Sequence, residues 1–214
     1  YKKIWDEQNH GSPLRKFTIN QTNKLKNDFK DNKNLIIDFA MRYGNPSIEK
    51  VLNKIVEKGC SKLLLVPLYP QYAASTTATV KDEVFKWMLK QRWQPDIRTI
   101  APWFDDKNYI KALADTVKSN LKNKNTLDKL IVSFHGIPQR YFKAGDPYHC
   151  HCIKTARLLK EELKWPDNKI LVTFQSRFGP EPWLQPYTDK TIVELAENGK
   201  KRIAVIAPGF ISDC

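Results

Sequence analysis

The sequence predicts an α/β fold built on parallel sheet and divided into two similar lobes. Three observations carry that expectation. Short runs rich in Leu, Ile and Val recur without clean alternation, as strands covered on both faces do. Stretches with apolar residues three and four apart lie between them, the signature of amphipathic helices. The strand-like runs also fall into two groups of three, separated by Ala101–Pro102–Trp103–Phe104–Asp105, which sets the lobes at residues 1–104 and 105–214.

Taken in order, the first helix is expected over Leu14–Phe29 and the first strand over Leu35–Met41. A second helix spans Pro46–Lys58, with Ile48, Val51, Leu52 and Ile55 on one face. Pro46 suits the first helical position and Gly59 the stop after the last turn. The strand Lys62–Leu68, the helix Ser75–Lys90 and the strand Ile97–Ile100 complete the first lobe. The second opens with a helix over Lys107–Leu121 and the strand Lys129–Phe134. Pro147–Lys164 reads as a helix capped by Asp146, with Tyr148, Cys152, Ala156, Leu159 and Leu163 facing inward. The strand Lys169–Phe174, the helix Thr188–Asn198 and the strand Arg202–Ala207 follow.

Composition agrees with a folded, water-soluble domain pair. The 214 residues weigh 24.9 kDa, and 41% hydrophobic with 28% charged residues excludes disordered and fibrous classes. No run approaches the ~18 apolar residues of a membrane span, and no signal peptide opens the chain. The formal charge of +13 suits an anionic partner. The lysines are scattered, as on solvated faces, and nucleic-acid-binding signatures are missing, so nucleic acid is not an expected partner. Four cysteines, Cys60, Cys150, Cys152 and Cys214, make no disulfide framework and point to a reduced, cytoplasmic setting. Tyr1 at the start and Cys214 directly after an apolar run suggest a piece of a longer protein.

In open parallel sheets, ligands bind beyond the carboxyl ends of strands. Unusual residues collect there: Arg42–Tyr43–Gly44, Tyr69–Pro70–Gln71–Tyr72, Trp103, His135–Gly136, Gln175–Ser176–Arg177 and Gly209–Phe210. One aromatic-walled cleft is expected. A dinucleotide is an unsuitable occupant, because no two glycines lie two apart and no G-x-G-x-x-G loop can form. Walker A and G-x-S-x-G motifs are absent too. His149, Cys150, His151 and Cys152 form a dense group of possible metal ligands. On a helix, however, Cys150 and Cys152 point about 200° apart. The simpler expectation makes Cys152 a core residue and leaves the two histidines in solvent. His135 ends an apolar strand beside a glycine that gives room for close approach, a place for proton abstraction or metal ligation.

These residues carry a resemblance. Ser133–Phe134–His135–Gly136–Ile137–Pro138, continued by Arg140–Tyr141 and Gly145–Asp146–Pro147–Tyr148, is similar to the ferrochelatase signature. Four further blocks agree in order: Gly11–Ser12–Pro13–Leu14, Met41–Arg42–Tyr43–Gly44 with Pro46, Pro67–Leu68–Tyr69–Pro70–Gln71–Tyr72 leading to Ser75–Thr76–Thr77, and Gln175–Ser176–Arg177–Phe178–Gly179–Pro180 with Pro182–Trp183–Leu184. Pro208–Gly209–Phe210–Ile211–Ser212–Asp213 matches as well.

The resemblance implies two Rossmann-like lobes around a porphyrin cleft and the insertion of Fe2+ to give haem, a lyase activity of haem biosynthesis. It implies His135 as base and iron ligand. Arg42 and Arg177 would meet the propionates, and Tyr69, Trp103, Trp183 and Phe210 the macrocycle. Ser12 and Tyr43 match cleft positions. No cofactor is required. Some members hold a 2Fe-2S cluster, to which Cys150 or Cys152 could contribute one ligand. The family's first strand would precede Tyr1, and the acidic partner of the histidine would follow Cys214, so this piece alone is expected to insert iron poorly. Peripheral contact with the inner membrane face is compatible with the basic helices.

Overall fold

The computed structural model describes residues 12–121 and 127–211. In chain order, helices α1 (Pro13–Asp28) and α2 (Ile48–Glu57) precede strand β1 (Lys62–Leu65), helix α3 (Thr79–Leu89) and strand β2 (Asp96–Thr99). Helix α4 (Lys107–Asn120), strand β3 (Lys129–His135) and helices α5 (Gln139–Lys143) and α6 (Tyr148–Leu163) follow. Strand β4 (Ile170–Gln175), helix α7 (Thr188–Glu197) and strand β5 (Ile203–Ile206) close the order. All strand pairs are parallel, in a two-stranded sheet β1–β2 and a three-stranded sheet ordered β4–β3–β5.

The chain forms two compact units that interleave in sequence. One contains described residues from 12–68, 75–100 and 210–211, the other Tyr69–Ala74 and Ala101–Gly209. In the second unit β3 is the central strand, and Leu130, Ile131, Val132, Ser133 and Phe134 are each no more than 1% exposed. Alternation along β3 sorts its side chains to two faces. Leu130, Val132 and Phe134 join the core with Cys152, Ala156, Leu159 and Leu163 of α6 and Ala114 and Val117 of α4. Ser133 points the other way, where its hydroxyl and that of Thr173 on β4 meet Thr188 Oγ1 of α7 at 2.9 and 2.8 Å. Helices therefore cover both faces, which is why β3 reads as an unbroken apolar run.

The first unit is thinner. Its β1 alternates between exposed and half-buried residues, with Leu64 65% exposed. Helix α2 buries Val51, and α3 buries Val84 and Trp87, whose indole N–H donates to Asn53 Oδ1 at 2.7 Å.

Several elements differ from the sequence reading. The strand expected over Leu35–Met41 joins no ladder among the described residues; one isolated bridge links Met41 to Ser47. An apolar run becomes a strand only beside a partner, and Leu35 and Ile36 stay largely exposed. Pro46 does not begin α2. The Asn45–Pro46 bond is cis, and Ser47 is the N-cap, its hydroxyl accepting from the Lys50 N–H at 3.3 Å. The helix expected at Ser75 starts as a π-helical turn, Ala74–Ala78, before α3. Pro147, not Asp146, is the N-cap of α6 and gives no side-chain cap bond; Asp146, one residue earlier, accepts at Oδ1 from the Tyr148 N–H at 3.0 Å.

Candidate active site

The order β4–β3–β5 places the chain reversal at β3. The chain leaves β3 for β4 on one side and returns from β4 to β5 on the other. Beyond the carboxyl ends of such diverging neighbours an open α/β sheet makes its ligand crevice. His135 is the last residue of β3, exposed, with Phe134 beneath it fully buried. Its Nδ1 lies 2.7 Å from Gly136 O. A carbonyl oxygen only accepts, so Nδ1 carries the proton and the ring lone pair stands on Nε2.

Trp183 supports this histidine from the side, with ring centroids 6.3 Å apart. It is 4% exposed, and its indole N–H is buried without an acceptor among the described residues. Gly136 explains how the indole comes so close. A Cβ there would stand 3.1 Å from Trp183 Cε3 and 3.2 Å from Gln175 O. The room expected for a ligand at this glycine is thus filled by the protein, and the glycine serves the packing of Trp183. The Gly136 N–H donates to Gln175 O at 2.8 Å, tying the end of β3 to β4.

After β4 the chain turns at Ser176, one of two non-glycine residues with positive φ among those described (67°). Arg177 is exposed, with its guanidinium 4.1 Å over the Tyr187 ring. Lys190 Nζ lies 5.7 Å from the same ring, and Phe178 packs on Trp183 at 4.8 Å. His135, Trp183, Phe178, Arg177 and Lys190 thus form an aromatic and cationic edge around one imidazole.

Tyr69 and Trp103 are half-buried in the same unit. The Trp103 N–H donates to Pro70 O at 3.1 Å, and its ring meets Tyr109 edge-on at 5.1 Å. Ser12, Arg42, Tyr43 and Phe210 belong to the other unit. Ser12 caps α1, accepting from the Arg15 N–H at 3.2 Å. Arg42 lies 4.5 Å over the exposed Tyr43 ring and 3.6 Å from Glu83. It also lines a cavity of about 360 Å³ with Ser47, Glu49, Trp87 and Lys90.

The histidines of α6 do not face solvent as expected. His149 stacks on Phe174 at 5.8 Å and touches Phe142 at 5.1 Å. His151 stacks flat on Phe104, with centroids 3.7 Å apart. Cys152 is fully buried, as expected, and burial pushes its thiol well up. Cys150 is exposed. Among the described residues no three His, Cys, Asp or Glu gather to hold a metal.

A polar network escaped the sequence reading. Gln71, 2% exposed, donates from Nε2 to Tyr109 OH at 3.3 Å and to Thr155 Oγ1 at 3.1 Å. Tyr109 in turn donates to Pro208 O at 2.7 Å, and Thr155 to Phe104 O at 2.7 Å. Burial pushes the Tyr109 phenol up. The network ties together the loops beyond β1, β2 and β5. Its signal in sequence was slight: a glutamine between two tyrosines at a strand end.

The Ferrochelatase family profile matches residues 1–214. The chain belongs to the ferrochelatase family. Relatives named ferrochelatase are 55% identical in Allorhizobium ampelinum, 56% in Agrobacterium fabrum and 52% in Rhizobium meliloti. Each alignment covers all of this chain but only 62–63% of the relative, so this ferrochelatase-family chain spans less than two thirds of their length. Among solved structures, SirB from Bacillus subtilis with Fe3+ superposes with a TM-score of 0.59 at 16% identity, over 94% of this chain and 86% of that one. The sirohydrochlorin chelatase SirB of subspecies spizizenii, in complex with cobalt, gives 0.56 at 14% over the same shares. These likenesses establish the chelatase-type α/β fold.

Proposed function

We propose that the protein is a ferrochelatase of haem synthesis, a lyase that exchanges the two pyrrole protons of protoporphyrin IX, or of a relative such as coproporphyrin, for Fe2+. The observation that carries this reading is His135 at the reversal point of the sheet, with its lone pair on Nε2. Metal insertion needs an atom that can hold the incoming ion or accept a departing pyrrole proton, set against a surface that accepts a flat apolar ring. His135 offers the first and the Trp183–Phe178 edge the second. Arg177 and Lys190 supply the cationic groups that propionates call for. Tyr69 and Trp103 are further aromatic partners for the macrocycle, and Ser12, Arg42, Tyr43 and Phe210 enter on family resemblance.

Insertion consumes no redox equivalent: Fe2+ enters, two protons leave, and no resident cofactor is called for. The reading makes it a cytoplasmic protein with peripheral contact at the inner membrane face. No described helix is long and apolar enough to cross a membrane.

The test is His135→Ala in the intact protein. Insertion should fall by about 10²–10⁴-fold, the usual contribution of a general base, while porphyrin binding persists. Retained insertion in a folded variant would remove His135 from the chemistry. Offering Fe2+, Co2+ and Ni2+ with several tetrapyrroles separates a ferrochelatase from a cobalt or nickel chelatase. A basic binding module would instead show steeply salt-dependent binding of polyanions and no insertion.

A further inference from the structure

The segment Tyr69–Ala74 follows β1 in sequence yet belongs to the second unit, and a specific set of bonds holds it there. Gln71 is anchored to Tyr109 and Thr155, Ala73 is buried in the core, and Pro70 O accepts from Trp103. At its far end the Ala74 N–H donates to Asp146 Oδ2 at 2.8 Å, and the Tyr72 N–H donates to His151 Nδ1 at 3.2 Å. The last bond differs in kind. Of these acceptors, an imidazole nitrogen is the one that becomes a donor on taking up a proton in the neutral range. An N–H facing an N–H repels.

The surroundings hold the ring where this change would be felt. His151 is half-buried and flat against Phe104, and a half-turn of the ring within the stack would bring a carbon, Cδ2, rather than a nitrogen to the Tyr72 N–H. Lys154, one turn further along α6, lies 5.3 Å from the Phe104 ring and pairs with Asp105 at 2.6 Å. The charged groups around the imidazole are therefore Asp105 and Asp146, which favour its protonation, and Lys154, which opposes it. Burial is the largest influence and outweighs the carboxylates, holding His151 below its ordinary value of 6.5. A lowered folded value means that the neutral form is favoured by the fold. The contribution is complete above about pH 6.5 and is lost as pH falls below it.

We propose that His151 is a positioning residue whose neutral imidazole latches the Tyr69–Ala74 segment, so that acidification loosens the segment and weakens porphyrin binding at Tyr69. The porphyrin part rests on the function proposed above; the latch does not. The distinguishing test is therefore made without porphyrin or iron. In the intact protein, amide exchange at Tyr72, corrected for its intrinsic rate, should lose about tenfold protection between pH 7.5 and about 4.5, low enough to pass the lowered His151 value, the worth of one hydrogen bond. His151→Asn keeps an acceptor near the Nδ1 position but does not titrate, and should hold protection flat over this range. His151→Phe keeps the stack without the acceptor, and should lack the protection at both pH values.

With porphyrin and Fe2+ supplied, the wild-type porphyrin KM should rise on acidification relative to His151→Asn, with similar kcat. Flat Tyr72 protection in the wild type, or the same pH dependence in His151→Asn, would overturn the latch. A latch that titrates in a protein that inserts no metal would leave it standing and sink the ferrochelatase reading alone.

Discussion

The strand β3 of the second unit and β1 of the first have similar sequences, Leu130–Ile131–Val132 against Leu63–Leu64–Leu65, and very different surroundings. The three residues of β3 are at most 1% exposed, whereas Leu64 is 65% exposed and Leu63 and Leu65 are half-buried. β3 has a neighbour on each edge and helices on both faces. β1 is paired on one edge, and its unit carries Leu14, Phe17, Leu25, Phe29, Leu35, Ile36 and Val66 with substantial exposure. An apolar strand is thus a demand for cover rather than proof of it. The first unit's charged surface is laced instead with exposed and half-buried ion pairs: Asp38 with Lys54 and Lys26, Glu83 with Lys86 and Arg42, and Glu49 with Lys90. Such pairs stabilise little singly and are screened by salt.

The contrast can be broken by substitution. Phe134→Ala should cost about 3–5 kcal/mol, because the ring is fully buried against Phe174 and the α6 face and its removal leaves a cavity. Urea unfolding measures it; a loss under about 1 kcal/mol would mean that the second unit's core is as loose as the first's.

Gly136→Ala comes next. Its Cβ would press on Trp183 and on the Gln175 carbonyl, and overpacking of this kind costs about 1–3 kcal/mol. It should also shift Trp183 fluorescence, since the indole must move. Unchanged stability and emission would show slack at the end of β3.

Leu64→Ser should stay within about 0.5 kcal/mol of wild type, as for exposed positions generally. A loss near that of Phe134→Ala would show that something covers β1 in solution.

The smallest effect concerns Asp38. Burial pushes its carboxyl up, but bonds from Lys54 and from the Phe39 N–H, with the charges of Lys54 and Lys26, hold it below 3.8. A lowered folded value contributes stability above the unfolded one, lost as pH falls through the folded value. Asp38→Asn should therefore cost no more than about 1 kcal/mol at neutral pH and low salt. The difference should vanish in strong acid and shrink in high salt. A deficit that survives acid would assign the effect to packing.

How legible was this in sequence? Five of the expected strands appear within a residue or two at their starts. The sixth, Leu35–Met41, shares their composition but has no ladder partner among the described residues. Hydrophobic pattern reports a tendency to be covered, whereas a ladder is a relation between two segments. Pro46 suited a helix start by its fixed φ, yet the Ser47 hydroxyl takes the cap and the helix begins at Ile48, two residues on. His149 and His151 were read as solvated because first-turn positions usually are. Phe142, Phe174 and Phe104 come from other elements, and local pattern cannot report them.

The sequence by itself determined the α/β class and the helix and strand alternation and singled out His135 as a candidate, because these rest on local periodicity and on an unusual residue ending an apolar run. Ser133–Phe134–His135–Gly136 needed no neighbour to be noticed. Only the tertiary structure decided what surrounds each of those residues. It set β3 in the middle of its sheet and filled the space at Gly136 with Trp183. It also brought Thr155 and His151 to the Tyr69–Ala74 segment across 84 and 79 positions of chain. Contacts over such separations depend on how the sheet is ordered, and no local pattern encodes that order.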